Sequence, residues 1–89
     1  MFDSVIVTLR TKDNAFSVDL DVPCKEPLKD LKGKLLEILC IFDNRLFGAW
    51  QDIRFVDEKT NRRLDQEETL EEAEVWDGSI LTIMNGGGR

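Results

Sequence analysis

The sequence predicts an α+β fold, in which a mixed sheet of four to five strands is covered on one face by a single helix. Short runs of alternating apolar and polar residues, typical of half-buried strands, lie near both ends of the chain. One long stretch between them repeats its apolar residues at three- and four-residue spacing, which is typical of an amphipathic helix. Such a helix needs a sheet to cover its apolar side.

The first two predicted strands form a hairpin. Residues 4–10 are rich in β-branched side chains, and residues 16–22 alternate between apolar and polar side chains. The stretch between them, residues 11–14, has the polar composition of a turn. Two such runs joined by a short polar turn predict a β-hairpin with one buried face.

The helix is predicted to begin near Pro27 and to continue past Cys40. Proline suits the first turn of a helix, because the amide it lacks has no partner there. Gly33 costs about 1 kcal/mol relative to alanine, which the apolar stripe can offset. The residues of the stripe predicted to face the sheet are Leu28, Leu31, Leu35, Ile38, Leu39 and Phe42.

The second half of the chain supplies the remaining strands. Residues 52–56 form the third predicted strand, residues 62–64 a short strand or bend, and residues 80–84 the last strand. Thr69 and Glu72 have the spacing of a capping box, which predicts a single helical turn between these strands.

Length and composition indicate one cytoplasmic domain. A chain of 89 residues with 42% hydrophobic residues has room for one core. We therefore expect residues 1–85 to form one domain and residues 86–89 to form a flexible glycine-rich tail. No apolar run reaches the roughly 20 residues that cross a bilayer, and the N-terminus lacks the features of a secretory signal. Membrane insertion is not expected.

The acidic charge argues against nucleic acid as a partner. The net charge is −6, and residues 64–88 contain acidic side chains and no basic one. Such a surface repels phosphate backbones and anionic lipid. A basic protein surface remains a possible partner, although a charge run of this kind is more often a solvated face.

Catalytic, metal and cofactor sites are not expected. The chain has no histidine, and no phosphate-binding glycine loop precedes a helix, so neither an enzyme nor a small-molecule site is indicated. The predicted helix separates Cys24 from Cys40 by roughly 20 Å, whereas a disulfide needs Cα atoms within about 7 Å. We expect both cysteines to be structural thiols.

Two spaced motifs carry a resemblance to a known family. They are Val18-x-Leu20-x-Val22-x5-Leu28-x2-Leu31-x3-Leu35 and Arg63-Leu64-Asp65-x3-Thr69-Leu70-x4-Val75-x2-Gly78-Ser79-x-Leu81-x-Ile83. With them, residues 5–84 resemble ubiquitin-like proteins. The Pro27-Leu28 helix start, Trp50 before the third strand and the Val-x-x-Gly-Ser segment are most similar to the bacterial YukD-like branch. Members of that branch are short and free-standing, and are often associated with type VII secretion systems.

The resemblance implies a β-grasp fold and a non-catalytic function. In this fold the last strand pairs in parallel with the first at the centre of the sheet. The expected function is a protein-interaction module, accessory to a type VII secretion system, whose partners are other proteins. The alternative is a protein modifier that is conjugated through a trimmed C-terminal diglycine. Whether the protein forms oligomers is left open.

The face of the sheet that the helix leaves open is the predicted protein-binding site. In ubiquitin the corresponding surface holds an apolar recognition patch, and here Arg54 replaces an apolar centre. The alternative is an ordinary solvated face, because scattered exposed apolar side chains are common. The predicted binding residues are Ile6, Thr8, Arg54, Val56, Ile80, Thr82 and Met84.

The C-terminal glycines and the tryptophans are the remaining candidates. Gly87 and Gly88 are the candidate conjugation tail, but Arg89 would have to be removed first, and a frayed end is the preferred interpretation. Trp50 is predicted to plug the end of the core, whereas Trp76 is predicted to be exposed.

Overall fold

The protein is described by a computed structural model of residues 3–86. Its elements in chain order are β1 (Ser4–Thr11), β2 (Ser17–Pro23), α1 (Leu28–Phe42), α2 (Asn44–Phe47), β3 (Ile53–Asp57), β4 (Arg62–Arg63) and β5 (Ile80–Asn85).

The strands form one mixed sheet in the order β2-β1-β5-β3-β4. β1 and β5 run parallel at the centre, and the other neighbouring strands are antiparallel. The helix α1 packs across one face. The predicted α+β fold, with its β-grasp arrangement, is therefore confirmed.

The register of the hairpin is fixed at its turn. The Thr11 amide donates to the Phe16 carbonyl over 3.0 Å, and the Phe16 amide donates to the Thr11 hydroxyl over 3.1 Å. The Asp13 carboxylate accepts from the Ala15 amide and from the Thr11 hydroxyl. Because side chains alternate along a strand, this register decides which residues of β1 face the core.

The helix stripe packs on the sheet as predicted at four of its six positions, namely Leu28, Leu31, Leu35 and Leu39. The predictions for Ile38 and Phe42 are wrong, since these side chains are 36% and 55% exposed. Ile38 lies on the flank of the buried row. The fully buried Phe47 fills the end of the core at the last turn of α1, and its ring lies 4.9 Å from that of Phe16.

The short helix α2 was not predicted from the sequence. It begins at Asn44, where the Asp43 side chain accepts a hydrogen bond from the Leu46 amide over 3.1 Å. Its role is to place Phe47 in the core. Trp50 packs edge-on against Phe47 with ring centroids 4.8 Å apart and is half-buried, which fits the predicted plug.

The predicted capping box is present. The Thr69 amide donates to Glu72 over 3.0 Å, and the Glu72 amide donates to the Thr69 hydroxyl over 3.1 Å. One turn follows, and it ends at Glu74, whose φ of 61° lies in the left-handed region. The Val75 amide then closes the turn on the Leu70 carbonyl at 2.9 Å.

Candidate functional site: the open face of the sheet

All seven side chains predicted for protein binding lie on the open face, the side of the sheet that α1 does not cover. Strand alternation puts the even-numbered residues of β1, β3 and β5 on this side, since their odd-numbered neighbours are buried under α1. Ile6 is 53% exposed, and the other six are half-buried. The pairs across neighbouring strands are Thr8 with Ile80, Val56 with Thr82, and Arg54 with Met84.

The centre of the open face is polar. Arg10 of β1 forms an ion pair with Glu58, which lies just after β3. Thr82 of β5 donates its hydroxyl to the same carboxylate over 2.8 Å. The hydrogen bonds from Arg10 and Thr82 outweigh the desolvation of Glu58 and lower the pKa of its carboxyl.

Arg10 and Glu58 were not among the predicted site residues. The alternation of β1 already puts Arg10 on the same side as Ile6 and Thr8, so that signal was present in the sequence. Glu58 is 48 residues away from Arg10 in the chain. Only the observed strand order brings the two together.

One apolar end of the open face lies where β5 begins. The Ile6 amide donates to the Asp77 carboxylate over 2.8 Å, and the Gly78 amide donates to the Ile6 carbonyl over 2.9 Å. Trp76, in the same turn, is 57% exposed, as predicted, and lines an open cleft together with Ile80. Ile6, Ile80 and Trp76 are here called the Trp76 end.

The other apolar end lies where β5 finishes and consists of Arg54, Val56 and Met84, here called the Arg54 end. After β5 the chain passes close beside Arg54. The approach is so close that a Cβ atom at Gly86 would overlap the Arg54 side chain. The Gly86 amide donates to the Asp52 carbonyl over 3.3 Å. Gly87 and Gly88 lie outside the described residues.

Asp52 links the Arg54 end to α1. Its carboxylate forms an ion pair with Lys32 at 2.9 Å. Burial acts to raise the pKa of Asp52, but hydrogen bonds from Lys32 and from the Ile53 amide outweigh it, together with the charges of Lys32 and Arg54. The pKa is therefore lowered and the carboxylate stays ionised.

The acidic segment after β4 is partly used inside the molecule. Glu68 forms an ion pair with Arg62 at 3.1 Å, and Glu67 forms one with Lys29 at 3.1 Å. The carbonyls of Gln66 and Glu68 accept the first amides of α1. This segment therefore caps the helix as well as carrying negative charge.

Within the described residues, the side chains that could bind a metal ion are cysteine thiols and carboxylates, since the chain has no histidine. Cys24 and Cys40 do not form a disulfide with each other. No group of three or more His, Cys, Asp or Glu side chains within residues 3–86 could hold a metal ion. Across the same residues, no helix is both long enough and apolar enough to span a membrane.

A mixed sheet in this order, with one long helix across one face, defines a ubiquitin-like β-grasp protein. Comparison with protein families narrows this class. The family described as "WXG100 protein secretion system (Wss), protein YukD" matches residues 4–83. The chain belongs to this family. Among curated proteins, no relative is found by sequence similarity.

Solved structures confirm the fold. The ubiquitin-like domain of the Mycobacterium tuberculosis type VII secretion system protein EccD1 is 22% identical, with a TM-score of 0.74 over 93% of this chain and 99% of that one. The EccD5 ubiquitin-like domain from Mycobacterium xenopi is 14% identical, with a TM-score of 0.68 over 92% of this chain and 96% of that one.

A third similar structure comes from a larger assembly, the MycP5-free ESX-5 inner membrane complex. The matched chain is 16% identical, with a TM-score of 0.73 over 99% of this chain. The match covers 23% of that chain, so the present fold corresponds to one part of a longer protein.

Proposed function

We propose that this protein is a non-catalytic interaction module of a bacterial type VII secretion system that acts in the cytoplasm. The observation that carries the proposal is the YukD family match over residues 4–83. Similar domains belong to a type VII secretion protein and to a chain of an inner membrane complex, which supports the same assignment.

The open face is the proposed contact surface, and the partner is another protein of the secretion apparatus. The face presents a small apolar group at each end of a polar centre, and its tryptophan, methionine and arginine are of the residue types enriched at protein contacts. The Arg54 end adds a planar cation that can pair with a carboxylate, opposite Met84 on the neighbouring strand. We place the centre of binding at Arg54 and Met84.

The test is capture of partners from the native host by the tagged protein, with secretion of the system's substrates measured in parallel. Arg54→Glu should weaken capture by about 1 kcal/mol or more, and each 1.4 kcal/mol corresponds to about tenfold. Lys34→Glu is the matched control, since it makes the same type of charge change at an exposed position of α1. Lys34→Glu should keep the melting temperature of the parent, whereas Arg54→Glu loses the attraction between Arg54 and Asp52 and should melt slightly lower while staying folded at the assay temperature.

Two other outcomes would reassign the function. If Glu71→Lys abolishes capture and Arg54→Glu does not, the acidic segment is the interface. If high-molecular-weight adducts form in the host and vanish when Gly87 and Gly88 are deleted, the protein is a conjugated modifier. We expect a chain that ends at Asn85 to keep both its fold and its partner.

A further inference from the structure

The outer edge of β2 has unpaired backbone groups. The Cys24 amide donates to the Asp3 carbonyl, and the Thr11 amide donates to the Phe16 carbonyl, so even-numbered residues of this strand direct their backbone towards β1. The backbone N–H and C=O groups of Ser17, Asp19 and Asp21 therefore point away from β1. Among the described residues no strand pairs with β2 on this side.

One side of this edge is apolar. Val18 and Leu20 of β2 face α1 and are only half-buried, because the helix does not reach over the edge strand. The neighbouring helix α1 exposes Ile38 and Phe42, and the Phe42 ring lies 6.3 Å from that of Phe16, which comes just before β2.

The helix geometry confirms which flank of α1 faces β2. Lys32 pairs with Asp52 beside β3, so its flank faces the opposite half of the sheet. At 100° per residue, Lys32 and Ile38 lie about 60° to either side of the row of buried leucines. Ile38 therefore lies on the β2 flank, beside the unpaired edge.

The other side of the edge is acidic. Asp19 and Asp21 are exposed on the open face of β2. Asp19 accepts a hydrogen bond from the Thr8 hydroxyl over 2.6 Å through one of its two carboxylate oxygens. A strand added beside β2 would place alternate side chains next to these carboxylates.

We propose that the β2 edge binds an extended segment of another protein in which apolar residues alternate with lysine or arginine. The segment adds a sixth strand, with its apolar side chains between β2 and the Ile38 flank of α1 and its basic side chains beside Asp19 and Asp21. This surface lies apart from the Arg54 end, so the inference goes beyond the proposed function and can fail independently of it.

Charge selects this occupant over a second copy of the chain. Pairing two β2 edges would bring the Asp19 and Asp21 carboxylates of both copies together, and like charges on neighbouring strands are destabilising. Charged residues and a proline such as Pro23 at an edge are also devices against self-association. The same acidic charge attracts a basic strand.

The probe is a short acetylated peptide of alternating valine and lysine, titrated into the full chain and followed by amide NMR. We expect the amide signals of Ser17, Asp19 and Asp21 to shift. Their exchange with solvent should become slower by at least about tenfold. A peptide with glutamate in place of lysine should bind at least about fivefold more weakly, because its charges oppose the two aspartates.

Backbone methylation tests strand pairing directly. In an antiparallel segment, the residues beside Asp19 and Asp21 are the lysines, and their amides point at β2. N-methylation of the lysines should therefore abolish binding, whereas N-methylation of the valines should leave it unchanged. A parallel segment reverses this pattern. If neither or both modifications matter, the strand-addition proposal is overturned.

Protein variants separate this surface from the open face. Asp19→Lys with Asp21→Lys should weaken the valine–lysine peptide about fivefold or more. Ile38→Asp should weaken it as well, whereas Ile41→Asp, which is on the same helix but further from β2, should not. Arg54→Glu should bind the peptide like the parent. No binding at millimolar peptide, or shifts centred on Arg54 and Met84, would overturn the proposal.

Discussion

Arg10 in β1 and Glu58 after β3 form an ion pair that spans the intervening strand β5. Thr82 of β5 donates to the same carboxylate, so three neighbouring segments are joined by side chains as well as by their backbones. This network occupies the centre of the open face. It fixes the strands below it and divides the apolar surface into the Trp76 end and the Arg54 end.

The Glu58 network predicts a pH-dependent stability. Its hydrogen bonds to Arg10 and Thr82 lower the pKa of Glu58 in the folded state. A carboxylate of this kind stabilises the fold above its unfolded pKa, about 4.3 for glutamate, and the contribution is lost as the pH falls through the folded pKa. Glu58→Gln should therefore lower the melting temperature at pH 7.

Acidification provides a control for the effect of Glu58→Gln. Below about pH 4 the parent loses the contribution of Glu58, so the melting temperatures of parent and Glu58→Gln should converge. Thermal unfolding followed by circular dichroism between neutral and acidic pH measures this difference. A gap that stays constant over the whole range would show that the ionised form of Glu58 is not the stabilising species.

The packing of α1 predicts opposite results for two neighbouring apolar residues. Leu39 is fully buried, and Leu39→Ala should cost about 2–5 kcal/mol of unfolding free energy through lost burial and a cavity. Ile41 is 84% exposed, and Ile41→Ala should change stability by no more than about 0.5 kcal/mol. Denaturant unfolding of both variants is the measurement. Equal losses would contradict the observed orientation of the helix.

The α+β class followed from periodicity, because alternation and helical spacing report directly on which side of an element is buried. The β-grasp strand order followed from the family resemblance, since periodicity carries no information on which strands pair. The errors at Ile38 and Phe42 have a tertiary cause. Spacing assigns both residues to the apolar stripe, but it does not show that the sheet ends or that Phe47 fills the space at the last turn of α1. For the same reason, spacing did not indicate that the flank of α1 that carries Ile38 lies beside β2.

Contacts between distant residues were also beyond the sequence. Spacing places Lys32 outside the apolar stripe of α1, but it does not show that the Lys32 ammonium donates to both Asp52 and Gln66. Partners of this kind are separated by 20 and 34 residues, and local pattern carries no information on them. The Thr69 capping box was predictable, since its partners lie three residues apart.

Replacing two glycines by alanine should change stability in opposite directions. A Cβ atom at Gly33, in the middle of α1, would meet nothing within 4 Å. Gly33→Ala should therefore stabilise the protein by about 0.5–1 kcal/mol through better helix propensity. Gly78 has a φ of 90°, which a side chain disfavours, and Gly78→Ala should destabilise by about 1–2 kcal/mol. Melting temperatures that move in the same direction would contradict these backbone conformations.

The two thiols should differ in reactivity. Cys24 is 4% exposed and Cys40 is half-buried, so a thiol reagent reaches Cys40 in the folded state, whereas Cys24 depends on local opening. We expect Cys40 to be labelled at least about tenfold faster than Cys24, as measured by peptide mass spectrometry over time. In denaturant the two rates should become similar. Preferential labelling of Cys24 in the folded protein would contradict the observed packing.

The division of the open face predicts that its two ends act independently in partner binding. Ile80 and Met84 mark the two ends along β5, and four residues of strand span about 13 Å. Sites separated by more than about 7–10 Å without a shared partner contribute additively. If binding is centred on Arg54 and Met84, Ile6→Asp should weaken binding less than Arg54→Glu does. A double-mutant cycle of Ile6→Asp with Arg54→Glu, measured on the captured partner, should give a coupling below about 0.5 kcal/mol. A larger coupling would mean that the partner covers both ends and the Arg10–Glu58 pair between them.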